Sequence, residues 1–253
     1  MSEAGLEGVG RTALWTLHCR AHHAVPGVLE DPEAKRLVAG LDAGLLRSLG
    51  RTNVCFAERA ARYDSVLGTY LAAHPGAAVV SLGEGLETQR FRVRGHGRWT
   101  SVDLPEVLAV RARFIAADAT HAHLPASATD VERWLPALGE GPAFVVAQGL
   151  FMYLEEAEVE RIVGALRARG GLGLMFDVVP PWLTRLSRLR PPVSRGLRVP
   201  RMPWGATEEG LRERLRRWVG PEVPVRIHPI GMPAGPFPGR LPTIAASLEL
   251  PAA

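Results

Sequence analysis

The stretch that most constrains this chain is Ala77–Arg92, AAVVSLGEGLETQRFR. A short apolar run, Ala77 to Leu82, meets Gly83-Glu84-Gly85 and then a polar segment able to open a helix. Buried parallel strands read as continuous apolar runs and not as alternating ones. Glycines directly after such a strand let the backbone turn sharply and approach a ligand where a side chain would collide. In α/β sheets, ligands bind beyond the carboxyl ends of the strands. About twenty residues further on, Trp99–Asp103 reads as a second strand ending in an acid, placed to hydrogen-bond the ribose of a nucleoside.

The dinucleotide fingerprint needs a third glycine three residues after the second, and that place holds Thr88. Glu84 and Glu87 also put negative charge in the turn, where a pyrophosphate wants none. A cofactor with a ribose, no phosphate and a positive sulfonium tolerates acids there. S-adenosylmethionine is therefore expected over NAD.

The chain has 253 residues and 47% hydrophobic content, enough for one sizeable α/β domain over residues 1–253. Apolar runs alternating with helical patterns predict one doubly wound unit. No secretory pattern opens the chain, and Ala143–Leu154 is too short an apolar stretch to span a bilayer. Cys19 and Cys55 are the two cysteines and have no metal spacing, so a reduced, cytoplasmic setting is expected. The net charge of +4 comes almost wholly from arginine, since Lys35 is the one lysine. That is a composition bias and not a basic patch, so no nucleic-acid partner is expected.

A helical prelude, residues 12–50, precedes the sheet. His18 and His22 share a helical spacing, but no third ligand accompanies them; solvated or capping roles are expected, and no metal. Residues 31–49 read as one helix with Asp31 at its N-cap and Pro32 at N1. Glu58–His74 is an amphipathic helix. Arg59, near its start, is either a surface cation paired with Glu58 or Asp64, or a cation for the carboxylate of a bound amino-acid moiety. After Asp103 and Pro105, Arg111 and Arg113 are expected on the solvent side. A third strand is expected to hide in 115–130. Ser127–Asp130 is either a turn capping a helix through Asp130 or a loop reading a base.

Ala143–Leu150 is a central strand ending in Gln148-Gly149, and Gly171–Val179 is the next, carrying Asp177 in a structural or site-facing role. Residues 182–205 hold six arginines and four prolines and read as an irregular lid. Thr207 caps a helix to Val219. Val223–Ile230 and Thr243–Leu250 are the last strands.

Five ordered blocks, VVSLGEGLETQRFR, VDLPEV with Arg111, AQGLFMYL, FDVVPPW and MPWG, resemble the leucine carboxyl methyltransferase-like family, which includes polyketide-type O-methyltransferases. The resemblance implies a Rossmann-like seven-stranded class I methyltransferase sheet, S-adenosylmethionine as donor, and methylation of an oxygen on a small secondary metabolite, often a carboxylate, otherwise a phenolic hydroxyl. By position it implies that Arg59 holds the cofactor's carboxylate, Gly83 and Gly85 form the turn, and Asp103 holds the ribose. It also moves Asp130 from helix cap toward the adenine. Gln148 stands where many members have Glu near the methionine end. Tyr153 and Arg20 are acceptor-pocket candidates by position. No residue is assigned as a general base. A non-catalytic protein of this fold and an NAD-type reductase are the competing readings.

Overall fold

A computed structural model of the chain describes residues 9–24, 27–189, 193–194, 197–198, 200–230 and 243–252. The apolar run after His74 becomes strand β1 (Ala78–Leu82), paired in parallel with β2 (Trp99–Asp103) on one side and β4 (Ala143–Ala147) on the other. β3 (His121–Pro125) lies outside β2, and β5 (Leu172–Val178) outside β4, both parallel. β6 (Val225–Ile230) and β7 (Thr243–Leu250) complete seven strands in the order β3-β2-β1-β4-β5-β7-β6, with β7 antiparallel to both neighbours. The predicted third strand is β3, and both predicted last strands form.

Every residue of β2, β4 and β5 is buried, as strands covered on both faces must be. One face carries Trp134 with Val159, Ile162, Val163 and Leu166 of α8 (Glu156–Arg169) and Leu211 and Leu215 of α10 (Glu208–Val219). The other carries Tyr63, Leu67 and Tyr70 of α4 (Cys55–Ala73), packed on Trp99 and Phe144. Thr207 caps α10 as expected, accepting from Gly210 N at 3.1 Å.

The prelude forms its own apolar cluster. α1 (Val9–His22) contributes Leu14, Trp15 and Leu17, which pack with Leu37, Leu45 and Leu49. The single helix expected over 31–49 is two, α2 (Pro32–Ala39) and α3 (Ala43–Ser48). Asp42 starts the second by accepting from Gly44 and Leu45 N, so a fresh cap at 42 competes with continuation. The stretch read as an irregular lid begins as a helix, α9 (Pro181–Leu189), whose Leu183, Thr184 and Ser187 are buried. A two-residue ladder, Val193–Ser194 with Leu197–Arg198, follows. Residues 190–192, 195–196 and 199 of that stretch, and 231–242 before β7, lie outside the described residues. Among the described residues, no helix is long and apolar enough to cross a membrane.

Candidate active site

Strand order reverses at β1, which sits between β2 and β4. At that switch point the sheet's carboxyl edge opens into a cavity of ≈ 360 Å³, within the range of small-molecule sites. Gly83 and Gly85 from the turn after β1, Asp103 at the end of β2 and Gln148-Gly149 after β4 all line it. So do Arg20, Arg59 and Tyr153.

The turn itself demands glycine. Gly83 has φ +61°, and a Cβ there would stand 2.8 Å from Leu150 Cδ1. Gly85 has φ +53°, and a Cβ would stand 3.3 Å from Ala13 of α1. Asp103 folds the turn toward itself: its carboxylate accepts Gly85 N and Leu104 N, each at 2.8 Å. Burial pushes its carboxyl up against those donors. Each oxygen keeps a lone pair for a further donor, which suits a ribose diol.

Arg59 is buried, with Nη1 at 3.3 Å from Asp177 Oδ2. Asp177 therefore takes a structural role, accepting also from Tyr63 at 2.7 Å and Gly149 N at 2.6 Å. Burial opposes the guanidinium's charge, and Asp177, Tyr63, Cys55 and Glu87 together outweigh it, holding its pKa up. Arg59 is thus no surface cation, and Asp64, one of the partners expected for it, binds Arg92.

Arg20 reaches the cavity wall, but its guanidinium is committed: Nη1 lies 3.1 Å from Glu87 and Nη2 donates to Leu86 O at 2.7 Å. Tyr153 has its phenol pushed up to about 12 by burial, so at neutral pH it is a hydrogen-bond donor and no base. Asp130, which the resemblance moves toward the adenine, is exposed and outside the cavity lining, and it makes no side-chain cap bond to α7 (Val131–Trp134). A 2.8 Å hydrogen bond between Ser127 and Thr129 folds the turn so that Ala126, Ser127 and Ala128 meet the cavity.

Beneath the turn lies a buried charge network. Glu84 accepts from Trp99 Nε1 at 3.0 Å and stands 3.3 Å from Arg111. Glu87 is held by Arg20 and by Arg92 at 3.0 Å. Arg92 of α5 (Gln89–Arg92) also binds Asp31 at 2.7 Å and Asp64 at 2.6 Å, tying the prelude and α4 to the loop. Burial alone would raise the Glu87 carboxyl, but Arg20 and Arg92 pull it to about 2. The acids of the turn are thus neutralised from below, which corrects the argument that their free charge repels a pyrophosphate. The short α5 argues against NAD instead: one turn of helix starting at Gln89 offers little dipole to a phosphate.

Arg111 overturns its expected solvent position. It is fully buried on α6 (Pro105–Ala112), donating to Gly85 O at 2.8 Å and Glu87 O at 2.9 Å. Its spacing from Val107 and Leu108 places it on the apolar face of that helix, and that was the available signal. Asp31 and Arg92 were also missed as site supports; Asp31 caps α2 with one oxygen and serves the network with the other.

The rest of the lining includes Trp15, Phe56, Met152, Leu183 and Met202. Among the described residues no group of three or more His, Cys, Asp or Glu is arranged to hold a metal ion.

A reversed seventh strand, a glycine turn after the first strand and an acid closing the second define a class I S-adenosylmethionine-dependent methyltransferase. Residues 9–167 match the leucine carboxyl methyltransferase family, and the chain belongs to it. It is 35% identical over 193 residues to the tetracenomycin polyketide synthesis O-methyltransferase TcmP of Streptomyces glaucescens, covering 72% of this chain and 70% of that one. Among solved structures, a putative methyltransferase from Thermobifida fusca YX aligns over 92% of this chain and 94% of its own, with TM-score 0.54 and 21% identity. The N-methyltransferase NodS of Bradyrhizobium japonicum WM9, solved with S-adenosyl-L-homocysteine, aligns over 87% of this chain and all of its own, with TM-score 0.54 and 13% identity. Both structural likenesses are of fold.

Proposed function

We propose that this enzyme methylates a carboxylate oxygen of a small aromatic acid of polyketide type. The observation that carries the reading is the state of the ionisable groups around the cavity. Glu84 and Glu87 are bound to arginines, Asp103 is bound to the backbone N–H groups of Gly85 and Leu104, and Tyr153 stays protonated. A phenol would need a base to remove its proton, whereas a carboxylate arrives ionised at neutral pH.

When bound, S-adenosylmethionine supplies a methyl group made electrophilic by its sulfonium. Asp103 accepts from the ribose hydroxyls, and Arg59 pairs with the carboxylate of the cofactor's amino-acid end. Trp15, Phe56, Met152 and Met202 exclude water and strip the acceptor's hydration, which strengthens an anionic nucleophile. Tyr153 donates to the acceptor oxygen that does not attack, leaving the other free for in-line displacement. Leu183, Pro200 and Met202 close the acceptor side of the cavity in what we read as a single domain. Two buried cysteine thiols, Cys19 and Cys55, suit a reducing cytoplasm.

Calorimetry with S-adenosylmethionine and S-adenosylhomocysteine, with NADH as control, is the first test. Micromolar affinity for the sulfur nucleosides corresponds to about −8 kcal/mol. Turnover of labelled S-adenosylmethionine on paired aromatic acids and phenols then separates the acceptors. Methyl esters are expected; methyl ethers alone would overturn the carboxylate reading.

A further inference from the structure

The Gln148 carboxamide has one half committed and one half free. Its Nε2 donates to Glu87 Oε2 at 3.0 Å, while its Oε1 is buried without a partner. A carboxylate only accepts, so the amide nitrogen must be the half facing Glu87. The orientation of the amide therefore follows from the acid and not from the cavity.

Glu87 is itself held rigidly. Its Oε2 also meets Arg20 Nη1 at 3.1 Å, and its Oε1 takes Thr88 N at 2.8 Å and Arg92 Nη1 at 3.0 Å. Next to Gln148, Gly149 has φ +69°, and the place of its missing Cβ lies 2.9 Å from Arg59 Nη1 and 3.1 Å from Nη2. A guanidinium and an unpartnered amide oxygen thus flank one glycine at the cavity edge. That pair is complementary to a zwitterion: the cation for a carboxylate, the oxygen for an ammonium group.

We propose that Glu87 is a positioning residue for cofactor recognition, orienting the Gln148 carboxamide so that its oxygen receives the α-ammonium group of the cofactor's amino-acid end. The proposal rests on the S-adenosylmethionine assignment of this cavity. The arginines that hold Glu87 sit on the prelude and on α5, so the orientation is set by segments on both sides of the glycine turn.

The test uses the full chain and two probes, S-adenosylhomocysteine and its 2-oxo-acid counterpart, in which a carbonyl replaces the α-ammonium group. Wild type is expected to bind the first at least about tenfold tighter, a difference of about 1.4 kcal/mol. Glu87→Asp keeps the charge for Arg20 and Arg92 but withdraws it from Gln148 by one methylene. Its ratio should fall below about threefold, with affinity for the 2-oxo acid little changed. Adding Gln148→Glu to that variant should restore the ratio, because both oxygens of a carboxylate accept and no orientation is needed. An unchanged ratio in Glu87→Asp, equal weakening of both probes, or failure of the added substitution to restore the ratio overturns the proposal. Should Glu87→Asp not fold, Gln148→Leu must lose the discrimination, and a retained ratio overturns the proposal equally. Wild type binding both probes alike overturns this inference alone; wild type binding neither overturns the cofactor assignment beneath it.

Discussion

Around the glycine turn the cavity is backed by buried charge, in Arg20, Asp31, Glu84, Glu87 and Arg111, with the side chain of Arg92 only 4% exposed. Toward α1 and α9 it is walled by Trp15, Phe56, Met152, Leu183 and Met202. The two halves solve different problems. A turn that must meet a fixed ligand needs directional bonds to its own carbonyls, such as those Arg111 gives Gly85 and Glu87. An acceptor pocket needs a dry surface of the right shape, which non-directional packing provides and tolerates in many versions.

Arg111→Leu puts the greatest load on this contrast. It leaves Glu84 buried without its cation and should lower the unfolding free energy by about 3–5 kcal/mol. Met202→Leu in the other half should cost less than about 1.5 kcal/mol. Urea denaturation of both variants measures the difference, and equal losses would erase the distinction.

Asp103→Ala comes next, with S-adenosylhomocysteine binding weakened by roughly 1–3 kcal/mol in calorimetry. Unchanged affinity would remove Asp103 from the ribose. Tyr153→Phe should sharpen the comparison from the acceptor side. We expect kcat/KM for the acid to fall by the equivalent of about 1 kcal/mol, with S-adenosylhomocysteine affinity unaltered. A change in cofactor affinity would place the phenol in the wrong half.

The smallest effect concerns pH. His121 on β3 shares a 2.7 Å hydrogen bond with Ser101 of β2, and burial with nearby Arg111 and Arg90 holds its pKa down to about 3. An unfolded histidine titrates near about 6.5. As pH falls, the unfolded chain takes this proton first, so stability is lost from about 6.5 down to about 3. Between about pH 7.5 and 6 the loss should stay below about 1 kcal/mol. His121→Gln should flatten that slope; an unchanged slope would assign it to other groups.

The path of the sheet was legible because buried strands and glycine turns leave local marks. Ala77–Leu82 with Gly83 and Gly85 located the first strand and the cavity edge, and Trp99–Asp103 the second. Gln148 was found as a polar residue closing an apolar run. The pattern failed where charge is buried. Arg111 read as a surface residue although it lies on the apolar face of α6, because an arginine is a surface residue unless a distant acid meets it. Asp130 lies outside the cavity lining, and a match in order does not say which side of α7 faces the cavity.

What the sequence by itself determined is the set of local choices. These are continuous apolar strands, glycines at positive φ, Thr207 and Asp31 as caps, and an acid at the end of the second strand. Each rests on backbone geometry within a few residues. Only the tertiary structure decided which charges pair. Arg20 with Glu87, Arg92 with Asp31 and Asp64, Arg59 with Asp177, and Arg111 with Glu84 join residues far apart in the chain. Such pairs depend on burial and distance together, and neither exists until the prelude, the sheet and α4 have come together around the turn.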